Sequence, residues 1–266
     1  MGPPGAAARF DAQAASFDST RGVPAGVASA VAAAVVDVAG PAGALVVLEV
    51  GAGTGEIGLP LAALVDGYVG LDLSRPMLEV FGRRVGDGRP GGPALVQADA
   101  DRGWPVRSRS TDVVFASRSA HLLGAAHVVA ESRRVCRPGG CFVVGRVERA
   151  GVKSDLRRRR EALLRDRGLA PRSGAGRTRA LLEGFVAGGA RPIEKRTVAT
   201  WTAETTAADV LAAWEATPTM GGVAVPAEVR AEVLADLRRW ATEKLGDLDR
   251  VDTFTEQYTL EGVRIA

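Results

Sequence analysis

From residue 44 onward the apolar residues fall into short unbroken runs separated by helix-spaced segments, a pattern that predicts strands alternating with helices. "ALVVLEV" (44–50) is continuous and rich in β-branched residues, as expected of a strand buried on both faces of a parallel sheet. Before it, a helix is expected from about Pro24 to the stop at Gly40-Pro41. After it come a helix at "EIGLPLAALV", a strand at "YVGLD" (68–72), and a helix at "RPMLEVFGRRV" with Ser74 as its N-cap. "ALVQAD" (94–99), "DVVFAS" (112–117) and "CFVVGRV" (141–147) read as further strands. A helix at "HVVAESRRVC" ends at Arg137-Pro138-Gly139-Gly140. Five strands alternating with helices imply a doubly wound parallel α/β sheet, because each right-handed crossover lays a helix on one face.

Past residue 150 the rhythm changes. "VKSDLRRRREALLRDRG" and "RTRALLEGFVAGG" read as helices, and "RPIEKRTVATW" as a strand. "TAADVLAAWEA" carries Thr206 and Asp209 at capping-box spacing. "PAEVRAEVLADLRRWATEKLG" puts Val229, Val233, Leu237 and Trp240 on one stripe, and "DTFTEQYTLEGVRIA" reads as a final strand. No internal repeat is visible. The division expected is one domain over 1–266, with amino-terminal helices over 1–40, a ligand-binding core over 41–150, and the remaining strands with a helical cap over 151–266.

With 46% hydrophobic and 24% charged residues, and 34 basic against 31 acidic side chains, the composition is that of a globular protein without a large charge excess. A net charge of +3 does not by itself call for nucleic acid or an anionic membrane. Cys136 and Cys141 cannot build a disulfide framework and no Cys/His spacing resembles a zinc site, so a reducing, cytoplasmic setting without metal is expected. "MGPPGAAARF" lacks the basic-then-apolar order of a signal peptide. The longest apolar stretch, around Asp37, falls short of the ~20 residues that span a bilayer.

The chemistry starts at "LEVGAGTGEIG" (48–58). Gly51, Ala52, Gly53 and Gly55 sit between a strand and a helix, where backbone approaches a ligand at the carboxyl edge of such a sheet. The dinucleotide pattern G-x-G-x-x-G needs glycine at 56, where Glu56 stands, and a phosphate loop needs a lysine that is absent. Acids at Glu49 and Glu56 are expected to repel a pyrophosphate and to suit an ammonium or sulfonium group. Asp72 ends the second strand where an acid accepts bonds from ribose hydroxyls, with capping of the next helix as its alternative role. Asp99 ends the third, positioned for an adenine amine, with Asp101 as the alternative. Adenosine with a cationic amino-acid tail describes S-adenosylmethionine.

The ordered series "FDSTRG", "LEVGAGTGEIGLPLA", "LDLSRPML", "QADADRGWP", "DVVFASRSAHLL" and "RVCRPGGCFVVG" resembles the class I S-adenosylmethionine-dependent methyltransferases of the small-molecule type. That resemblance implies a Rossmann-like sheet of about seven strands with the last one antiparallel, and helical insertions as a substrate cap. It implies that Gly51, Ala52, Gly53 and Gly55 cradle the methionine part, with Glu49 beneath the loop. Asp72 is then the ribose ligand, Leu73 and Met77 flank the adenine, Asp99 and Ala100 meet its edge, and Ser117 approaches through its backbone. Phe17 and Arg21 resemble a lid. The products are a methylated small molecule and S-adenosyl-L-homocysteine.

A base is needed only for some acceptors. His121, after the fourth strand, is the candidate, and capping the next helix is its alternative role. Arg118 and Trp214 are candidate acceptor contacts, with solvated rim and cap core as their alternatives. "ASRSAHLL" lacks the Asn/Asp-Pro-Pro-Tyr segment of adenine or glutamine amino methylation, and no Pro-Cys pair offers a thiol for cytosine. Arg157–Arg160 shares its helix with Asp155, Glu161 and Asp166, so a solvated face is expected rather than an RNA site. The partner expected is a small-molecule acceptor, with neither nucleic acid nor membrane, and the protein a monomer or homodimer. An RNA or protein methyltransferase and a non-catalytic binding protein are the alternatives.

Overall fold

The computed structural model describes residues 10–11, 14, 17–18, 22–40, 43–86, 92–170, 174–216, 219–220 and 223–266. Helix α1 (Val27–Ala39) precedes β1 (Val46–Val50), α2 (Gly58–Ala62), β2 (Gly67–Asp72), α3 (Arg75–Val85), β3 (Ala94–Gln97) and β4 (Thr111–Ser117). There follow α4 (Ala125–Val135), β5 (Cys136–Glu148), α5 (Gly151–Asp166), α6 (Gly174–Ala187), β6 (Arg191–Thr205) and α7 (Ala207–Glu215). Two short strands, β7 (Thr219–Met220) and β8 (Val223–Ala224), lead to α8 (Ala227–Leu245) and β9 (Asp252–Arg264).

The main sheet has seven strands in the order β3-β2-β1-β4-β5-β9-β6. β1 pairs in parallel with β2 and with β4, so the order reverses there and a crevice opens at the carboxyl ends of these strands. β9 runs antiparallel. Its Tyr258 lies against Gly145, its Gly262 against Phe142, and the N–H of Ile265 bonds the carbonyl of Gly140, so the two strands count in opposite directions. Alternate residues Leu48, Val50, Val114, Ala116, Phe142 and Val144 feed one core with Val128 and Val135 of α4 and Leu181 and Phe185 of α6. The run-like apolar strands follow from this, since a strand covered on both faces has no polar side.

Several elements differ from expectation: β3 stops at Gln97, β6 runs on to Thr205, and the short strands β7 and β8 were not expected. α2 is shorter than 56–65, because Leu64 donates to Leu61 in a tightened turn and β2 begins at Gly67. β5 starts at Cys136 rather than 141. Its Pro138-Gly139-Gly140 stretch is absorbed as a register shift against β4, with Gly139 at φ 79°.

By packing, the chain forms two compact units. One comprises residues up to Val147 with Ala175–Ala199 and Tyr258–Ala266; the other comprises Glu148–Gly174 and Thr200–Gln257. The second unit packs α5, α7 and α8 around Leu156, Leu164, Leu211, Val233 and Leu237, with Val229 and Trp240 of the expected stripe at the edge of that core. In the capping box at the start of α7, the Thr206 hydroxyl accepts from the Asp209 N–H at 3.0 Å and donates to its carboxylate at 2.8 Å. Among the described residues no helix is long and apolar enough to cross a membrane.

Candidate active site

At the end of β1 the chain turns sharply: the N–H groups of Gly51 and Ala52 both donate to the carbonyl of Leu71, at 2.8 and 3.0 Å. Gly51, Gly53 and Gly55 all have positive φ, at 80°, 56° and 79°. Their surroundings differ. A Cβ on Gly51 would overlap Ser119, and one on Gly55 would overlap the Phe81 ring. A Cβ on Gly53 would meet nothing within 4 Å. Protein neighbours therefore exclude side chains at two of the three positions, and Gly53 alone faces open space.

Asp72 ends β2 beside this opening. One carboxylate oxygen accepts the N–H of Gly53 and the other that of Ser74, both at 2.8 Å. Burial raises its pKa, against the lowering effect of these backbone bonds. A carboxylate oxygen accepts more than one hydrogen bond, so each retains acceptor capacity for a ligand hydroxyl. Leu73 follows at the half-buried edge, its carbonyl accepting from Gln97 at 3.3 Å. Met77 is buried in the first turn of α3, where Ser74 caps it at 3.4 Å.

Glu49 lies under the loop, 1% exposed, and accepts a hydrogen bond from Tyr68 at 2.5 Å. Burial pushes its carboxyl up to about 8, and the nearby charge of Arg118 pulls it down only in part. Glu49 is thus mainly protonated at neutral pH. Glu56 is not a free anion either: Arg118 pairs with one of its oxygens at 2.5 Å and the Val23 N–H donates to the other at 2.6 Å. The sequence expectation that these two acids attract a cation by themselves is therefore replaced by a nearly neutral loop.

Residues before α1 reach the same loop. Thr54 donates to Asp18 at 2.6 Å, Arg84 pairs with Asp18, and Ser74 donates to Asp11 at 2.6 Å. Phe17 lies 5.8 Å beneath the Arg118 guanidinium. Arg21 lies outside the described residues.

Asp99 follows β3 and accepts from the Asp101 N–H at 3.0 Å, with Arg102 at 3.4 Å. The Ala100 carbonyl accepts from the indole of buried Trp104 at 2.9 Å, and the Trp104 N–H donates to Glu131 of α4 at 2.7 Å, which ties this segment to that helix. His127 of α4 contacts the Arg102 carbonyl at 2.5 Å.

The turn after β4 ties these parts together. Ser117 shares a 2.7 Å hydrogen bond with Tyr258, a fully buried residue of β9. Arg118 adopts the left-handed conformation, φ 56°, rare for a residue with a side chain, and its N–H bonds the carbonyl of Gly145 at 2.8 Å. Ser119 donates to the Val50 carbonyl at 2.5 Å. His121 sits in the single 3₁₀ turn Ala120–Leu122 that follows. Sequence reasoning missed Ser119 and Tyr258, whose contacts span 69 and 141 residues and leave no local signal.

Trp214 belongs to the second unit, where the Arg160 guanidinium lies 4.1 Å over its ring and burial lowers the Arg160 pKa. The Arg157–Arg160 run is therefore not a uniformly solvated face: Arg158 pairs with Asp155, while Arg160 is drawn onto an aromatic ring. Among the described residues no cluster of three metal-ligating side chains occurs.

Comparison with known proteins bears on this arrangement. Residues 47–140 match the family model described as a methyltransferase domain. No curated protein sequence matches the chain. Among solved structures, the YcgJ protein of Bacillus subtilis is similar at 19% identity and TM-score 0.57, over 88% of this chain and 98% of that one. Geranyl diphosphate C-methyltransferase of Streptomyces coelicolor, solved with Mg²⁺, geranyl diphosphate and S-adenosyl-L-homocysteine, is similar at 15% identity and TM-score 0.52, over 90% and 78%. The [4+2]-cyclase SpnF is similar at 18% identity and TM-score 0.51, over 89% and 81%.

Proposed function

We propose, from the match of residues 47–140 to a methyltransferase-domain model and from a fold shared with class I methyltransferases, that the chain transfers a methyl group from S-adenosylmethionine to a small molecule. The observation that carries the reading is the juxtaposition of Gly53, open to space, with Asp72, whose carboxylate is already fixed by two backbone N–H groups. These residues fit the cofactor: a backbone that a ligand can approach, and an acid with acceptor capacity left for ribose hydroxyls.

When bound, S-adenosylmethionine supplies the methyl group as an electrophile on a positively charged sulfur. Gly51, Ala52, Gly53 and Gly55 would hold its methionine part and Asp72 its ribose. Leu73 and Met77 would flank the adenine, with Asp99 and Ala100 at its edge. The Asp72 bond to Gly53 ties the loop to the end of β2. Ser117 and Phe17 border the same end of the sheet, and His121 stands nearest in sequence to it as a base for an acceptor that needs one. The protein's main contribution is to orient the acceptor in line and exclude water.

Within the arginine run, Arg158 pairs with Asp155 and Arg160 lies over Trp214, which supports a small acceptor over RNA. The likeness to a geranyl diphosphate methyltransferase supports the same choice. Two buried free thiols fit a reducing, cytoplasmic setting. The likeness to a cyclase is a reminder that fold and reaction are separable. The test is incubation with methyl-labelled S-adenosylmethionine and separate small-metabolite, RNA and protein fractions. Label entering the metabolite fraction supports the reading; label confined to RNA or protein, or in none, overturns it.

A further inference from the structure

We propose that Arg118 sets the balance of affinity between a sulfonium cofactor and its neutral demethylated product, by cancelling the charge of Glu56 beside the glycine loop. This rests on the cofactor reading above. Glu56 directly follows Gly55, and Arg118 directly follows Ser117, so both stand at the carboxyl ends of the central strands. Their ion pair is 2.5 Å long, with the two side chains only 21% and 13% exposed. A pair so shielded is less screened than one on the surface.

Three features show that the pair is built in. Arg118 holds a left-handed backbone that glycine would adopt without strain, which indicates that its side chain is wanted there. The far oxygen of Glu56 is held by the Val23 N–H, so the carboxylate is clamped from two sides. The charge of Arg118 is also felt beneath the loop, at Glu49. Among the described residues, other charged groups around the loop also have partners: Asp72 takes two backbone N–H groups, Asp18 pairs with Arg84 and Asp11 accepts from Ser74.

S-adenosylmethionine carries one more positive charge than S-adenosylhomocysteine, and the two differ otherwise by one methyl group. An unpaired Glu56 would favour the cation, and an unpaired Arg118 would disfavour it. With the pair intact, neither ligand is selected by these charges, so substrate and product can exchange.

The experiment is calorimetric titration of both nucleosides into wild type, Arg118→Gly, Glu56→Gln and the double variant, at low salt. Arg118→Gly should shift the affinity ratio about fivefold toward S-adenosylmethionine. Glu56→Gln should shift it by a similar factor the other way, and the double variant should return near wild type. Equal weakening of both ligands in each single variant would show a merely structural pair and overturn the proposal. Should Arg118→Gly fail to fold, the near-isosteric Glu56→Gln still decides, an unchanged ratio being the contradicting result. Failure of wild type to bind either nucleoside would instead overturn the cofactor reading on which the proposal rests.

Discussion

The hydroxyl of Tyr258 meets the hydroxyl of Ser117 at 2.7 Å, joining the antiparallel strand β9 to the carboxyl end of β4. Tyr258 is fully buried and lies against Gly145, where a Cβ would overlap its ring and hydroxyl. Tyr258→Phe removes one neutral hydrogen bond and should lower stability by about 1 kcal/mol. Gly145→Ala should cost more, about 2–3 kcal/mol, because a packed core has no room for the methyl group. Urea unfolding of the two variants checks the order; an alanine at 145 as stable as wild type would contradict the packing.

The glycine loop predicts a contrast between two neighbouring positions. Gly55→Ala drives a methyl group into Phe81, so loss of folded protein is expected. Gly53→Ala meets no protein atom and should fold, with a backbone penalty of about 1–2 kcal/mol. It should nonetheless bind S-adenosylhomocysteine at least tenfold more weakly. Thermal melts with calorimetry separate the two effects.

Glu49 predicts a pH dependence of stability. Burial pushes its carboxyl up to about 8 in the folded chain from an ordinary value of 4.5, so between those values the folded state holds a proton that the unfolded state has released. Stability should therefore fall as pH rises through that window, by up to about 1.4 kcal/mol per pH unit, and level off beyond it. Glu49→Gln, which cannot ionise, should show a flatter profile between pH 5 and 8. Unfolding curves across that range measure it, and parallel profiles would contradict the assignment.

Much of this architecture was legible in the sequence because strands buried on both faces must be continuously apolar. The run "ALVVLEV" announces β1, and the Ser74-Arg75-Pro76 start announces α3 to the residue. The glycine positions were legible as well, but not their reasons, since the partners that exclude side chains at Gly51 and Gly55 are Ser119 and Phe81. Charge was the least legible property. Glu49 and Glu56 read as anions, yet one is neutralised by burial and the other by an arginine distant in sequence, and neither effect has a local signature.

The most direct measurement is calorimetric titration of S-adenosylhomocysteine and, in parallel, NAD into the wild-type protein and Asp72→Ala. S-adenosylhomocysteine should bind the wild type and lose about 1–3 kcal/mol of affinity in the variant, as unpaired ribose hydroxyls and a loosened Gly53 require. NAD should not bind. Binding of NAD without S-adenosylhomocysteine, or an affinity indifferent to Asp72, would contradict the account.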